Sequence, residues 1–165
     1  MDEREIGLLK AANVPDNVIE HCKTVKEKAA EIANQVKIPV NVELIRVGAL
    51  LHDIGRGKTH GLDHAIEGAK LARDLQLGED VAKIIERHIG SGLPKEEARM
   101  LGLPPCDYIP ETPEQIIVSY ADNLTAGNKI IDFDTALLRF KKILGDNHPG
   151  IVRFIAQNNE VTSWM

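Results

Sequence analysis

The chain has 165 residues, with 20 Lys and Arg against 25 Asp and Glu, a formal net charge of −5 with histidine neutral. That balance speaks against a general nucleic-acid binder, whose phosphate contacts need clustered Lys and Arg, yet it leaves room for a small phosphorylated substrate held by a few local cations. A chain of this length suggests one domain, burying about 70% of its unfolded surface, and its two cysteines, Cys22 and Cys106, sit in no C-x-x-C, which argues against a disulfide scaffold or a thiolate zinc site and for a reducing cytoplasm.

The charged start, Met1-Asp2-Glu3-Arg4-Glu5, lacks the apolar run of a secretory signal, and no span approaches the roughly 20 apolar residues of a membrane crossing. From Pro15 onward, Val18, Cys22, Val25, Ala29, Ile32 and Val36 advance by three or four and predict one long helix. Asn41 can cap a second helix running through Leu44, Val47 and Leu51 towards Asp53, after which Gly55 and Gly57 mark a loop. A third helix starts near Asp63, a possible N-cap, and ends at Gly78; a short fourth spans Asp80 to Ile89. Pro94 to Pro113 reads as a short helix around Glu96 to Met100 followed by an irregular segment. Helices resume from Pro113 to about Ala126, from Asp132 to about Leu144, and from Gly150 onward. The reading is a single all-α domain over residues 1–165, with no internal repeat.

Polar residues on the apolar faces carry the functional signal. His21 follows Val18 by three and precedes Val25 by four, His52 follows Ala49 by three, His88 follows Ile84 by four, and Asp122 follows Val118 by four. A lone histidine at such a place is more often a hydrogen-bonded core residue than a ligand, and a lone aspartate near a helix end is usually a cap or an ion-pair member. Repetition shifts the balance: several helices each send an imidazole or a carboxylate inward, and unpaired carboxylates there would cost several kcal/mol. Neutral imidazole and carboxylate together suit a divalent transition metal. In His52-Asp53, adjacent helical side chains diverge by about 100°, so both reach one site only near the helix end, where His52 binds one ion and Asp53 has an oxygen free for a second. Arg56 and Lys58 follow in a glycine-flanked loop; they read either as phosphate-binding groups or as cations favoured near a helix C-terminus. Lys129 and Arg87 are further cationic candidates. Cys22 fits helix packing, His148 a turn, and a 4% aromatic content gives little for base stacking.

An early His, a His-Asp pair and a late Asp, here His21, His52-Asp53 and Asp122, resemble the pattern of the HD superfamily of metal-dependent phosphohydrolases, with His52-Asp53-Ile54-Gly55 matching its HDIG variant. The resemblance covers about residues 18 to 130 and implies a compact HD-type helical bundle with C-terminal helices packed on that core. Within the superfamily the chain looks like the bacterial HD-domain symmetrical dinucleoside-tetraphosphate hydrolases and short uncharacterised archaeal HD proteins. His64-Ala65-Ile66-Glu67-Gly68-Ala69 matches an H-x-x-x-G-A element of the former, Ile84-Ile85-Glu86-Arg87-His88 a later helix ending in His, and Ala121-Asp122 through Gly127-Asn128-Lys129 a late motif with one extra residue. The segment between His52 and His64 is shorter than in those hydrolases, and Pro94–Pro113 has no counterpart in them.

The resemblance implies a two-metal centre, often with iron, held by His21, His52, Asp53, His64, His88 and Asp122; manganese, nickel, cobalt and zinc suit such ligands equally. His60 is the alternative to His64, four residues away. Asp53, Arg56 and Lys58 are the expected catalytic residues, and Arg56, Lys58 and Lys129 the expected substrate-binding ones. The expected substrate is a small, nucleotide-like phosphate ester or anhydride, with no membrane partner; a homodimer is compatible. An HD-type diiron oxygenase and a non-catalytic binding or signalling module are the alternatives.

Overall fold

The computed structural model describes residues 1–165. Nine α-helices follow in chain order: α1 (Glu3–Ala11), α2 (Asp16–Gln35), α3 (Val42–Leu51), α4 (His64–Asp74), α5 (Glu79–Glu86), α6 (Lys95–Met100), α7 (Pro113–Asn123), α8 (Phe133–Leu144) and α9 (Pro149–Ser163). A 3₁₀ turn, Ile54–Gly57, follows α3, and a two-stranded antiparallel hairpin, β1 (Thr125–Ala126) and β2 (Lys129–Ile130), follows α7. The class is all-α as the apolar spacing predicts, and no helix is long and apolar enough to cross a membrane.

Two apolar cores flank the centre of the bundle. In the first, Val25, Ala29 and Ile32 of α2 and Ala49 of α3 meet Ile117, Val118 and Ala121 of α7 and Phe154 of α9. In the second, Leu9 of α1, Ile19 and Cys22 of α2, and Leu51 meet Ala69 and Ala72 of α4 and Ile85 of α5. Helices α2, α3 and α5 supply both cores, so polar side chains along them are brought to the seam between two apolar masses. Cys22 is fully buried in the second core, a packing residue.

Several boundaries differ from expectation for local reasons. Helix α1 was not signalled by the charged N-terminus; its inward Glu5 is buried and satisfied by Arg46 at 2.8 Å, so a charged position serves as an interior one. The Gly55–Gly57 loop is instead the 3₁₀ turn, pressed against α4: a Cβ on Gly55 would lie 1.9 Å from the His64 carbonyl oxygen. Helix α5 stops at Glu86, before the positive-φ Gly90. Helix α7 ends at Asn123 rather than near Ala126, because Thr125 returns its hydroxyl to the Ala121 carbonyl and the chain turns into the hairpin at Gly127, φ +61°. Asn41 does cap α3, accepting from the Leu44 amide. Asp63 precedes α4 but accepts from the Thr59 hydroxyl instead of a helix amide. His148, expected in an exposed turn, is half-buried and caps α9 through Gly150.

Candidate metal centre

Five elements each deliver part of one cluster. His21 projects from the second turn of α2, His52 and Asp53 close α3, His64 opens α4, His88 stands two residues beyond α5, and Asp122 lies in the last turn of α7. His52, Asp53, His64 and His88 are buried, and His21 and Asp122 are partly open, at 17% and 20% side-chain exposure. The two oxygens of Asp53 face different neighbours. Its Oδ2 is 3.4 Å from His52 Nε2 and 3.7 Å from His21 Nε2, whereas its Oδ1 is 3.2 Å from both His64 Nε2 and His88 Nε2. Asp122 Oδ1 completes the first side, 2.9 Å from His21 Nε2 and 3.4 Å from His52 Nε2.

The backbone assigns the imidazole tautomers. Nδ1 of His52, His64 and His88 lies 2.6, 2.8 and 2.6 Å from the carbonyl oxygens of Ala49, Gly61 and Ile85, and Nδ1 of His21 lies 2.5 Å from that of Gly127. A carbonyl only accepts, so each Nδ1–H donates and each neutral ring turns a bare Nε2 lone pair inward. Four such lone pairs and two carboxylates make a cluster of acceptors with no donor of its own. The Nε2 atoms of His64 and His88 stand 3.1 Å apart, and the buried His52 Nε2 has no hydrogen-bond partner at all. Positive charge is what such a group requires, and the donor set fits a divalent ion. Three overlapping triplets can hold one: His21, His52 and Asp53; His52, His88 and Asp122; Asp53, His64 and His88.

The electrostatics of the protein alone show the same demand. Burial opposes charge on His52, but Asp53 and Asp122 outweigh it and hold its pKa well above the usual imidazole value. Burial would raise Asp122, yet the charge of the neighbouring His52 and the hydrogen bond with His21 keep it far below the carboxylate range. Burial also opposes the charge on His21, which rises through its hydrogen bond to Asp122. For His88 burial prevails and the pKa falls. Protons thus gather on the Asp122 side and are disfavoured at His88.

Residues 18–127 match the profile of the HD domain, a span that opens just before His21 and closes just after Asp122. The chain belongs to the HD domain family. HD proteins are in general metal-dependent phosphohydrolases. This HD chain is 48% identical over 164 residues to an uncharacterized protein of Methanocaldococcus jannaschii, covering 98% of one and 96% of the other. It is 39% identical over 162 residues to a tRNA (cytidine(56)-2'-O)-methyltransferase of Picrophilus torridus, spanning 98% of this chain but only 46% of that protein. It is 33% identical over 124 residues to a ribonuclease Y of Thermosipho melanesiensis, 73% of this chain and 21% of that one. No solved structure matches the chain.

Over the HD cluster lies a cleft of about 260 Å³ lined by Asn17, Val18, His21, Asp53, Arg56, His60 and Gly127. Arg56 is the cation of this lining; its Nη1 donates to the His60 carbonyl at 2.6 Å and its Nε lies 3.9 Å from Asp53 Oδ1. Lys58 is not brought in: it is 74% exposed and its Nζ pairs with Glu67 at 2.8 Å. Lys129 is exposed on β2, outside the lining, and Arg87 donates to Gln115 at 3.0 Å. The ring of His60 is no member of the cluster, whose place is taken by His64. The sequence reading missed Asn17 and the Gly127 carbonyl; Gly127-Asn128, a hairpin-turn pair, was the available signal for the second.

Proposed function

We propose that this HD chain is a cytoplasmic metal-dependent phosphohydrolase, in which His21, His52, Asp53, His64, His88 and Asp122 hold two divalent ions and the substrate is a small, nucleotide-like phosphate ester or anhydride. The observation that supports it most is the division of Asp53, one oxygen turned to His21 and His52 and the other to His64 and His88, the arrangement of a carboxylate shared by two cations. Bound divalent ions supply Lewis acidity and a water nucleophile near neutral pH. The protein's own contribution is positioning. Four backbone carbonyls fix the imidazole planes, so little reorganisation accompanies reaction. Asp53 and Arg56 line the same cleft, so a phosphoryl group that reached ions held by Asp53 would also meet the guanidinium. Arg56, already oriented by the His60 carbonyl, presents its remaining N–H groups to phosphoryl oxygens. Lys58 and Lys129 are assigned to attracting an anion rather than touching it.

The likeness to ribonuclease Y brings RNA phosphodiesters into consideration. One cation and no Phe, Tyr or Trp in the cleft, with a net charge of −5, favour a small substrate over a polynucleotide. A panel of nucleotides, dinucleoside polyphosphates and short RNA, assayed with manganese, iron, cobalt, nickel and zinc, tests this. Metal-dependent release of phosphate or nucleotide from the small substrates, abolished by chelation, is the expected result; cleavage of RNA alone would overturn the substrate assignment, and hydrolysis indifferent to chelation the mechanism.

A further inference from the structure

Three of the four histidines take their Nδ1 partner from the carbonyl three residues earlier in their own segment, Ala49 for His52, Gly61 for His64 and Ile85 for His88. Those rings are oriented as soon as the local chain is formed. His21 differs. Its Nδ1 partner is the carbonyl of Gly127, 106 residues away, at the tip of the β1–β2 hairpin. Its Nε2 partner, Asp122, is 2.9 Å away on the turn of α7 that leads into the same hairpin. One stretch, 122–130, therefore grips both nitrogens of this ring. A second tie binds the hairpin to α2, from the Thr24 hydroxyl to the Asn128 carbonyl at 3.2 Å. Gly127 and His21 also line the cleft together, so the hairpin tip forms part of its wall.

The hairpin turn has two residues, Gly127 and Asn128, between the paired Ala126 and Lys129. Gly127 has φ +61°, the conformation for which glycine is chosen at the first central position of such a turn. No atom lies within 4 Å of where its Cβ would be, so a side chain at this position acts through backbone conformation and not through a clash. We propose that the β1–β2 hairpin is a positioning element for the metal centre, holding His21 through the Gly127 carbonyl, so that the His21 side of the cluster is adjusted separately from the His64–His88 side. The inference rests on the metal-centre reading above. It makes Gly127 a positioning residue that acts through His21.

The test is cobalt(II) titration of metal-free protein, followed by absorption and by metal analysis, for wild type, Gly127→Val and Gly127→Asn. A β-branched residue resists positive φ, whereas asparagine tolerates it. Gly127→Val is expected to weaken one cobalt position by about 10- to 100-fold, the range for losing a group that orients a metal ligand, and to leave the other as in wild type; Gly127→Asn is expected to weaken it distinctly less. Thr24→Val, which removes the other tie and leaves the turn intact, is expected to weaken the same position to a smaller degree, and carries the test if Gly127→Val does not fold. Equal weakening of both positions, or Gly127→Val and Thr24→Val titrating as wild type, overturns the inference while the metal reading stands. Wild-type protein that takes up no cobalt overturns both.

Discussion

Two of the hollows in the surface of this protein differ in kind more than in size. The larger, about 390 Å³, lies among α6, α8, α9 and the segment after His88, and its walls include Leu93, Met100, Leu101, Phe140, Ile143 and Phe154. The smaller, about 260 Å³, has Val18 as its one apolar wall and opens directly on His21 and Asp53. Choosing by volume and apolar lining, the usual guide to ligand sites, would select the hollow that lacks the His and Asp cluster. Charge without a partner is the better guide here. Beside the large hollow Ser91, Ser119, Asn123 and Gln157 are hydrogen-bonded and the Arg153 charge is paired with Glu97 at 2.6 Å, its Nε alone lacking a partner, whereas the small one opens on His21 and Asp53, members of a cluster whose neutral imidazoles add only acceptors.

The contrast breaks down if substitutions at the two hollows act alike. The largest effect is expected at the shared carboxylate: Asp53→Ala lowers phosphohydrolase activity by about 10³-fold or more, the upper range for removing one preorganised electrostatic group, with the fold retained by circular dichroism. Arg56→Ala comes next, at about 10- to 100-fold in kcat/KM, the worth of a hydrogen bond to a charged group; Lys58→Ala, whose partner is Glu67, has a distinctly smaller effect. The smallest is at the apolar hollow, where Met100→Ala and Ile143→Ala, both strongly exposed, change activity by less than about twofold.

The pH dependence sharpens the same point. In metal-free protein the raised pKa of His52 contributes stability that is fully present below the ordinary imidazole value of 6.5 and is lost as pH rises through the folded value. The lowered pKa of Asp122 contributes stability present above the ordinary carboxylate value of 3.8 and lost as pH falls through the folded one. Thermal melts of metal-free protein should therefore peak between these limits and decline on the alkaline side. With metal bound, cations replace protons on the imidazoles and the alkaline decline should vanish. Parallel curves for the two forms would contradict this account of the cluster.

Much of the architecture was legible because apolar period marks α2 and α4 and agrees with cap chemistry along α3, α7 and α8. Helix α1 escaped because its interior includes Glu5, and only the fold brings Arg46 to it. The hairpin escaped because two residues per strand are too few to show alternation. The His and Asp cluster was legible for the opposite reason: His21, His52, His88 and Asp122 recur on apolar faces of separate helices, a repetition that singled them out, and the likeness to HD proteins supplied His64. Lys58 was misleading because Glu67 lies nine residues further on, across the start of α4, and its pairing is a product of tertiary structure. The orientation of His21 by Gly127 was out of reach for the same reason.

Metal analysis of purified protein beside Asp53→Ala and His52→Ala tests the central claim most directly. Two divalent ions per chain in the wild type, with loss of metal in both variants, is the predicted result. A wild type free of metal after loading, or variants that retain the full complement, would contradict it.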